Sequence, residues 1–147
     1  MVRSSREVKA LLSLCQKPRG RRRKSEESSH QMALFQWLSL WDASIRAVTF
    51  HIPNGGTRNP IEAKILKGQG VTAGVPDIFM SIPNLQYHGL FIEMKSKAGK
   101  ITEKQQQMHK QLRSYGYCVE VCYDWFEARK VILDYLGRSH SAQCPAA

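Results

Sequence analysis

Three residues have types and spacing that point to chemistry: Asp77, which follows Val75-Pro76, and the pair Glu93 and Lys95, which flank Met94. Asp77 opens one strand-like run, 77–81, and Glu93 and Lys95 close a second, 90–95. Side chains on a strand alternate with period two, so Glu93 and Lys95 share one face while Met94 turns to the other. If the two runs pair, Asp77 approaches Glu93, giving two carboxylates with an ammonium at their edge. Two hard oxygen ligands side by side suit Mg²⁺ or Mn²⁺, which keep several waters and take further ligands from a substrate phosphate. Such an ion polarises a phosphoryl oxygen and lowers the pKa of a bound water, while the lysine orients or deprotonates that nucleophile. The lysine has to lie in this pocket, because a nearby cation eases the loss of its own proton. Phosphodiester hydrolysis is the reaction that needs this arrangement.

A plainer reading makes Glu93 and Lys95 an ordinary surface pair on an edge strand, with Asp77 merely opening its run. An acid and a lysine two apart are common in any sequence. Here, however, they lie in GLFIEMK, an otherwise apolar stretch. Burying a carboxylate there without a partner or metal is costly, which favours the functional reading.

The elements that would position these residues are legible around them. Residues 25–41 carry early carboxylates suited to a helix N-terminus and then dense apolar residues. A short β-branched and aromatic run, 47–52, ends at the turn Asn54-Gly55-Gly56. Asn59-Pro60 begins a further helix, which Gly68 stops. Thr102 with Gln105 forms a capping box for a polar helix that Gly116 terminates. Residues 117–123 read as a strand. Asp124 with Glu127 opens a last helix reaching about Leu136, with Phe126, Val131, Leu133 and Leu136 expected in the core. The order αβαββαβα implies an α/β fold, a small mixed sheet flanked by helices with at least one crossover.

The 147 residues, 42% of them hydrophobic, suffice for one domain, expected over 25–137 between a basic arm, 1–24, and a tail, 138–147. The 22 Lys and Arg against 12 Asp and Glu give a net charge of +10 and favour a polyanionic partner. Nucleic acid fits better than a membrane, since no membrane anchor, secretion signal or spanning segment stands out. Within the arm, KPRGRRRK holds six cations, including Arg21, Arg22 and Arg23. They serve either as salt-sensitive phosphate contacts or as a solubilising tail. The four cysteines, Cys15, Cys118, Cys122 and Cys144, lack the spacing of a zinc site. They suggest a reducing, intracellular setting. Cys118 and Cys122 fall on one face of their strand, too far apart for an easy disulfide, and read as small buried hydrophobes.

GVPDIFM followed by GLFIEMKSKAGKITEKQ resembles the VRR-Nuc branch of the PD-(D/E)XK nuclease superfamily. Glu27 and Gln31 match that family's first-helix pair, HIPNGGTR its turn, and EAKILKGQGVTAGVPD its approach to the catalytic strand, so the similarity runs from about Glu27 to Leu136. The resemblance implies a restriction-endonuclease-like core in which Asp77, Glu93 and the Met94 carbonyl bind metal, Lys95 is catalytic and Glu27 completes the acidic site. Glu27 is equally an acid favoured by the helix dipole. Gln105 is either only the reciprocal member of its capping box or also orders the catalytic lysine and water. His51, Asn54, Arg58 and Lys67 are either turn and surface residues or substrate contacts at the pocket mouth. Stand-alone relatives of this size resemble phage-type homodimers that cut branched DNA, including four-way junctions, in the cytoplasm of a bacterial host. The alternatives are a flap or general duplex nuclease, or a DNA-binding module without catalysis.

Overall fold

A computed structural model describes residues 22–53 and 60–138, with side chains from Glu26 onward apart from that of Pro60. The elements are α1 (Arg22–Trp41), α2 (Ala43–Ala47), β1 (Thr49–His51), α3 (Pro60–Gly68), β2 (Ile78–Met80), β3 (Leu90–Met94), α4 (Glu103–Ser114), β4 (Cys118–Cys122) and α5 (Trp125–Tyr135). The expected order holds with one insertion, the five-residue α2. Its cause is Asp42, whose Oδ1 accepts from the Ser44 and Ile45 amides at 3.0 and 3.2 Å, so a new helix starts immediately where α1 ends. The helix turns Ile45 into the core, and the buried Thr49 hydroxyl donates back to the Ile45 carbonyl at 2.8 Å. At the other end, α1 begins at Arg22, three residues before the expected start.

The strands form one mixed sheet in the order β1-β2-β3-β4. β1–β2 and β2–β3 are antiparallel, and β3–β4 is parallel across the α4 crossover. The central β3 is therefore paired on both sides, and all five of its residues are buried. Leu90, Ile92 and Met94 point to the side occupied by α1 and α5, where they meet Leu34, Leu38, Ala128 and Ile132. Each fully buried Leu or Ile stabilises the fold by roughly 1.5–3 kcal/mol, so this side offsets polar burial on the other. Phe91 and Glu93 face the opposite way, toward α4. There Phe91 stacks on Phe79 at 4.4 Å and meets the Tyr117 ring edge-on at 5.3 Å.

One expectation for α5 needs correction. Val131 and Leu136 do pack against the core, but Phe126 is 60% exposed. Trp125, Ala128, Ile132 and Tyr135 follow the three-and-four spacing of one helical stripe and take the inward positions. Phe126 falls outside that stripe, rests on the Trp125 ring at 4.0 Å, and lines a surface cleft with Leu133. Cys118 and Cys122 are free thiols. Burial pushes them up to about 11 and about 12 respectively, which keeps them inert at neutral pH. No helix among the described residues is long and apolar enough to cross a membrane.

Candidate active site

Glu93 occupies the fourth position of the central strand and is 1% exposed. Its Oε1 accepts from Lys95 Nζ and from Gln105 Nε2, each at 2.5 Å. Lys95 leans back onto the same face, as period two requires, with 13% of its side chain exposed. Gln105 comes from the first turn of α4 and serves twice. Its Oε1 accepts from the Thr102 amide at 3.0 Å, completing the capping box, while its amide nitrogen reaches Glu93. The capping role of Gln105 is thus present, and its second contact is with Glu93 rather than with Lys95. Glu93 Oε2, by contrast, is buried and makes no hydrogen bond.

Asp77 precedes β2, one residue beyond the Ile78–Ile92 pair, so the antiparallel register carries it toward Glu93. Its Oδ2 accepts from the Met94 amide at 2.9 Å, fixing the carboxylate against β3. Its carbonyl accepts from the Ile52 amide at 2.7 Å and from His51 Nδ1 at 2.8 Å, and because a carbonyl only accepts, the His51 proton is on Nδ1. His51 therefore anchors the backbone of an acidic residue. Upstream, Gly74 has φ +91°, and a Cβ there would lie 2.7 Å from the Lys104 carbonyl. A bare backbone at this position lets the segment leading to Asp77 pass against the start of α4, which carries Gln105.

Glu27 reaches the same region from α1, where its Oε1 accepts from the Ser96 amide at 2.9 Å. Gln31 is half-buried one turn further along α1. Lys67 is exposed in the last turn of α3 and makes no hydrogen bond or ion pair with the acidic residues. Arg21, Asn54 and Arg58 lie outside the described residues, as do the side chains of Arg22 and Arg23.

Burial raises the Glu93 carboxyl to about 7, with the Asp77 charge pushing the same way and Lys95 pulling it back. Burial also raises Asp77, against the lowering effects of the Met94 amide, Lys95 and His51. Glu27 raises both. An exposed ion pair contributes about 0–1 kcal/mol and requires no such burial, so a mere surface pair does not account for Glu93. Among the described residues no three His, Cys, Asp or Glu side chains converge as a ready-made metal group. The side chains available to a metal are Asp77 and Glu93, two hard oxygen donors, with an unpartnered buried oxygen on Glu93. That donor set suits an ion completing its shell with backbone, water and phosphate oxygens, as Mg²⁺ and Mn²⁺ do.

His109 was not singled out from sequence. It is 2% exposed on α4, and its Nε2 makes no hydrogen bond and faces Glu93 Oε2 at 3.8 Å. Burial, then Arg113 and Lys95, push its pKa down, so the ring is neutral. The available signal was its place four residues after Gln105, on the same face of an otherwise polar helix.

The family model for the VRR-NUC domain matches residues 16–125. A solved structure described as a VRR_NUC domain protein is 28% identical, with a TM-score of 0.67, over 76% of this chain and 88% of that one. No curated protein matches the chain.

Proposed function

We propose that this chain, which belongs to the VRR-NUC domain family, is a metal-dependent DNA endonuclease that acts on branched duplexes such as four-way junctions. Membership implies a nuclease-type function and DNA as the partner; metal dependence, junction preference and action as a homodimer are the finer parts of the proposal. The observation that carries it is the pairing of the buried Glu93 carboxylate on β3 with the half-buried Asp77 carboxylate just before β2, with a lysine and a glutamine already bonded to Glu93.

In this reading Asp77 and Glu93 hold Mg²⁺ or Mn²⁺ with the Met94 carbonyl, and Glu27 supports the cluster through the Ser96 backbone. A bound ion would supply charge for the phosphoryl oxygens and a water of lowered pKa. Lys95 holds Glu93 and presents its ammonium at the edge of the pocket, where it donates to the attacking water and orients it. Gln105 keeps Glu93 and Lys95 in register with the N-terminus of α4, whose amides favour a nearby phosphate. The cations Arg21, Arg22 and Arg23, at the start of α1 and just before it, together with Gln31, Asn54, Arg58 and Lys67, are proposed to contact DNA around this pocket. Two copies in a symmetric dimer would present two such sites, matching the two strands to be cut at a junction.

The test is a panel of matched linear, flap and four-way DNA with Mg²⁺, run on the wild type and on Glu93→Ala. The four-way substrate is expected to be cut fastest, and Glu93→Ala to lose cleavage by about 100-fold or more while still binding. Equal cutting of linear duplex removes the junction preference, and undiminished cutting by Glu93→Ala removes the site.

A further inference from the structure

The two oxygens of Glu93 are treated differently. Oε1 receives two donors at 2.5 Å, whereas Oε2 is buried and receives none. Facing Oε2 is another buried atom without a hydrogen bond, His109 Nε2, 3.8 Å away. Buried polar atoms are seldom left unmatched, and here the two unmatched atoms, a ring nitrogen and a carboxylate oxygen, face each other. The origin of the pair is the period of α4. Gln105 and His109 are four residues apart, so one helix face presents two donors to one carboxylate, one for each oxygen.

From this geometry we infer that His109 is a positioning residue for Glu93, its Nε2–H holding Oε2 in the orientation from which the carboxylate binds a divalent ion. A carboxylate oxygen has two lone pairs, so accepting from an imidazole leaves it able to ligate. The carboxylate is pinned at Oε1, and a pivot closing the gap by less than about 1 Å brings Oε2 into hydrogen-bond range. Hydrogen bonds from outside the ligand shell are worth about 10–100-fold in metal affinity in comparable sites. The inference rests on the metal-dependent reading above, and its test separates the two.

Calorimetric titration with Mn²⁺ on the full chain compares wild type, His109→Leu and His109→Gln, alongside thermal unfolding without metal. Leu fills the volume but offers no donor, whereas Gln carries an amide donor of similar reach. His109→Leu is expected to weaken Mn²⁺ binding about 10-fold or more, with an unchanged KM for DNA, and His109→Gln to recover most of the loss. If His109→Leu does not fold, Asn is too short to reach Oε2 and takes its place in the comparison with Gln. Mn²⁺ binding equal to wild type in the donor-free variant overturns the inference, even if its stability falls. A wild type that does not bind Mn²⁺ overturns the metal reading itself and the inference with it.

Discussion

Glu93 shows how a single residue can be unfavourable for folding and yet sit where the proposed chemistry needs it. Its carboxyl is raised from the usual 4.5 to about 7, chiefly by burial. Between those values the folded chain binds more protons than the unfolded chain. Stability therefore falls as pH rises through the window, being greatest below about 4.5 and lost by about 7. The metal-free protein is expected to lose melting temperature across pH 4.5–7, and Glu93→Gln, with nothing there to ionise, to lose less. The contrast between the two curves isolates this residue from Asp42, whose carboxyl is lowered to about 2 by the Ser44 hydroxyl, the Ile45 amide and Arg138 and so acts only at lower pH. In the proposed metal-dependent reading Mg²⁺ binds the ionised pair, so it should raise the wild-type melting temperature more at pH 8 than at pH 5 and leave Glu93→Gln nearly unmoved. Superimposable curves for the two proteins would mean that Glu93 carries no such penalty.

At the scale of elements, the site depends on how closely the segment before β2 passes the start of α4. Gly74 and Gly70 both have positive φ, at +91° and +94°, but a Cβ at Gly70 meets open space while one at Gly74 meets the Lys104 carbonyl at 2.7 Å. Gly70→Ala should cost only the conformational penalty, about 1–2 kcal/mol. Gly74→Ala should cost clearly more and also slow cleavage, because relieving the collision separates Asp77 from Gln105. Chemical denaturation and Mg²⁺-dependent cleavage check both, and equal effects of the two substitutions would show that the close approach is not what holds the site. This contact was invisible in the sequence, where Gly74 is one glycine among ten. Local signals were legible: the Thr102 capping box, the alternation through GLFIEMK, and the glycine that ends α4. What depended on tertiary placement was not. The capping role of Asp42 follows from where α1 ends, Phe126 looked like core until Trp125 took the inward position, and His109 had no meaning until Glu93 lay across from it.

For the molecule as a whole, a net charge of +10 supplies affinity for any polyanion, whereas choosing among DNA shapes requires fixed geometry. The two should separate experimentally. Cations that contact phosphates release counterions on binding, so each one lost reduces the slope of log affinity against log salt by about 0.9 on duplex DNA. Replacing Arg21, Arg22 and Arg23 together by Ala in the full chain is expected to weaken binding to linear, flap and four-way DNA alike and to flatten that slope. The ratio of four-way to linear cleavage under saturating protein should stay where it was, because the residues bonded around Glu93 are untouched. Binding measured by anisotropy across a salt series, on the Glu93→Ala background so that the DNA survives, gives the slope directly. If the triple replacement instead weakens only four-way binding, these three arginines read branch geometry, and shape selection has to be assigned to them rather than to the sheet.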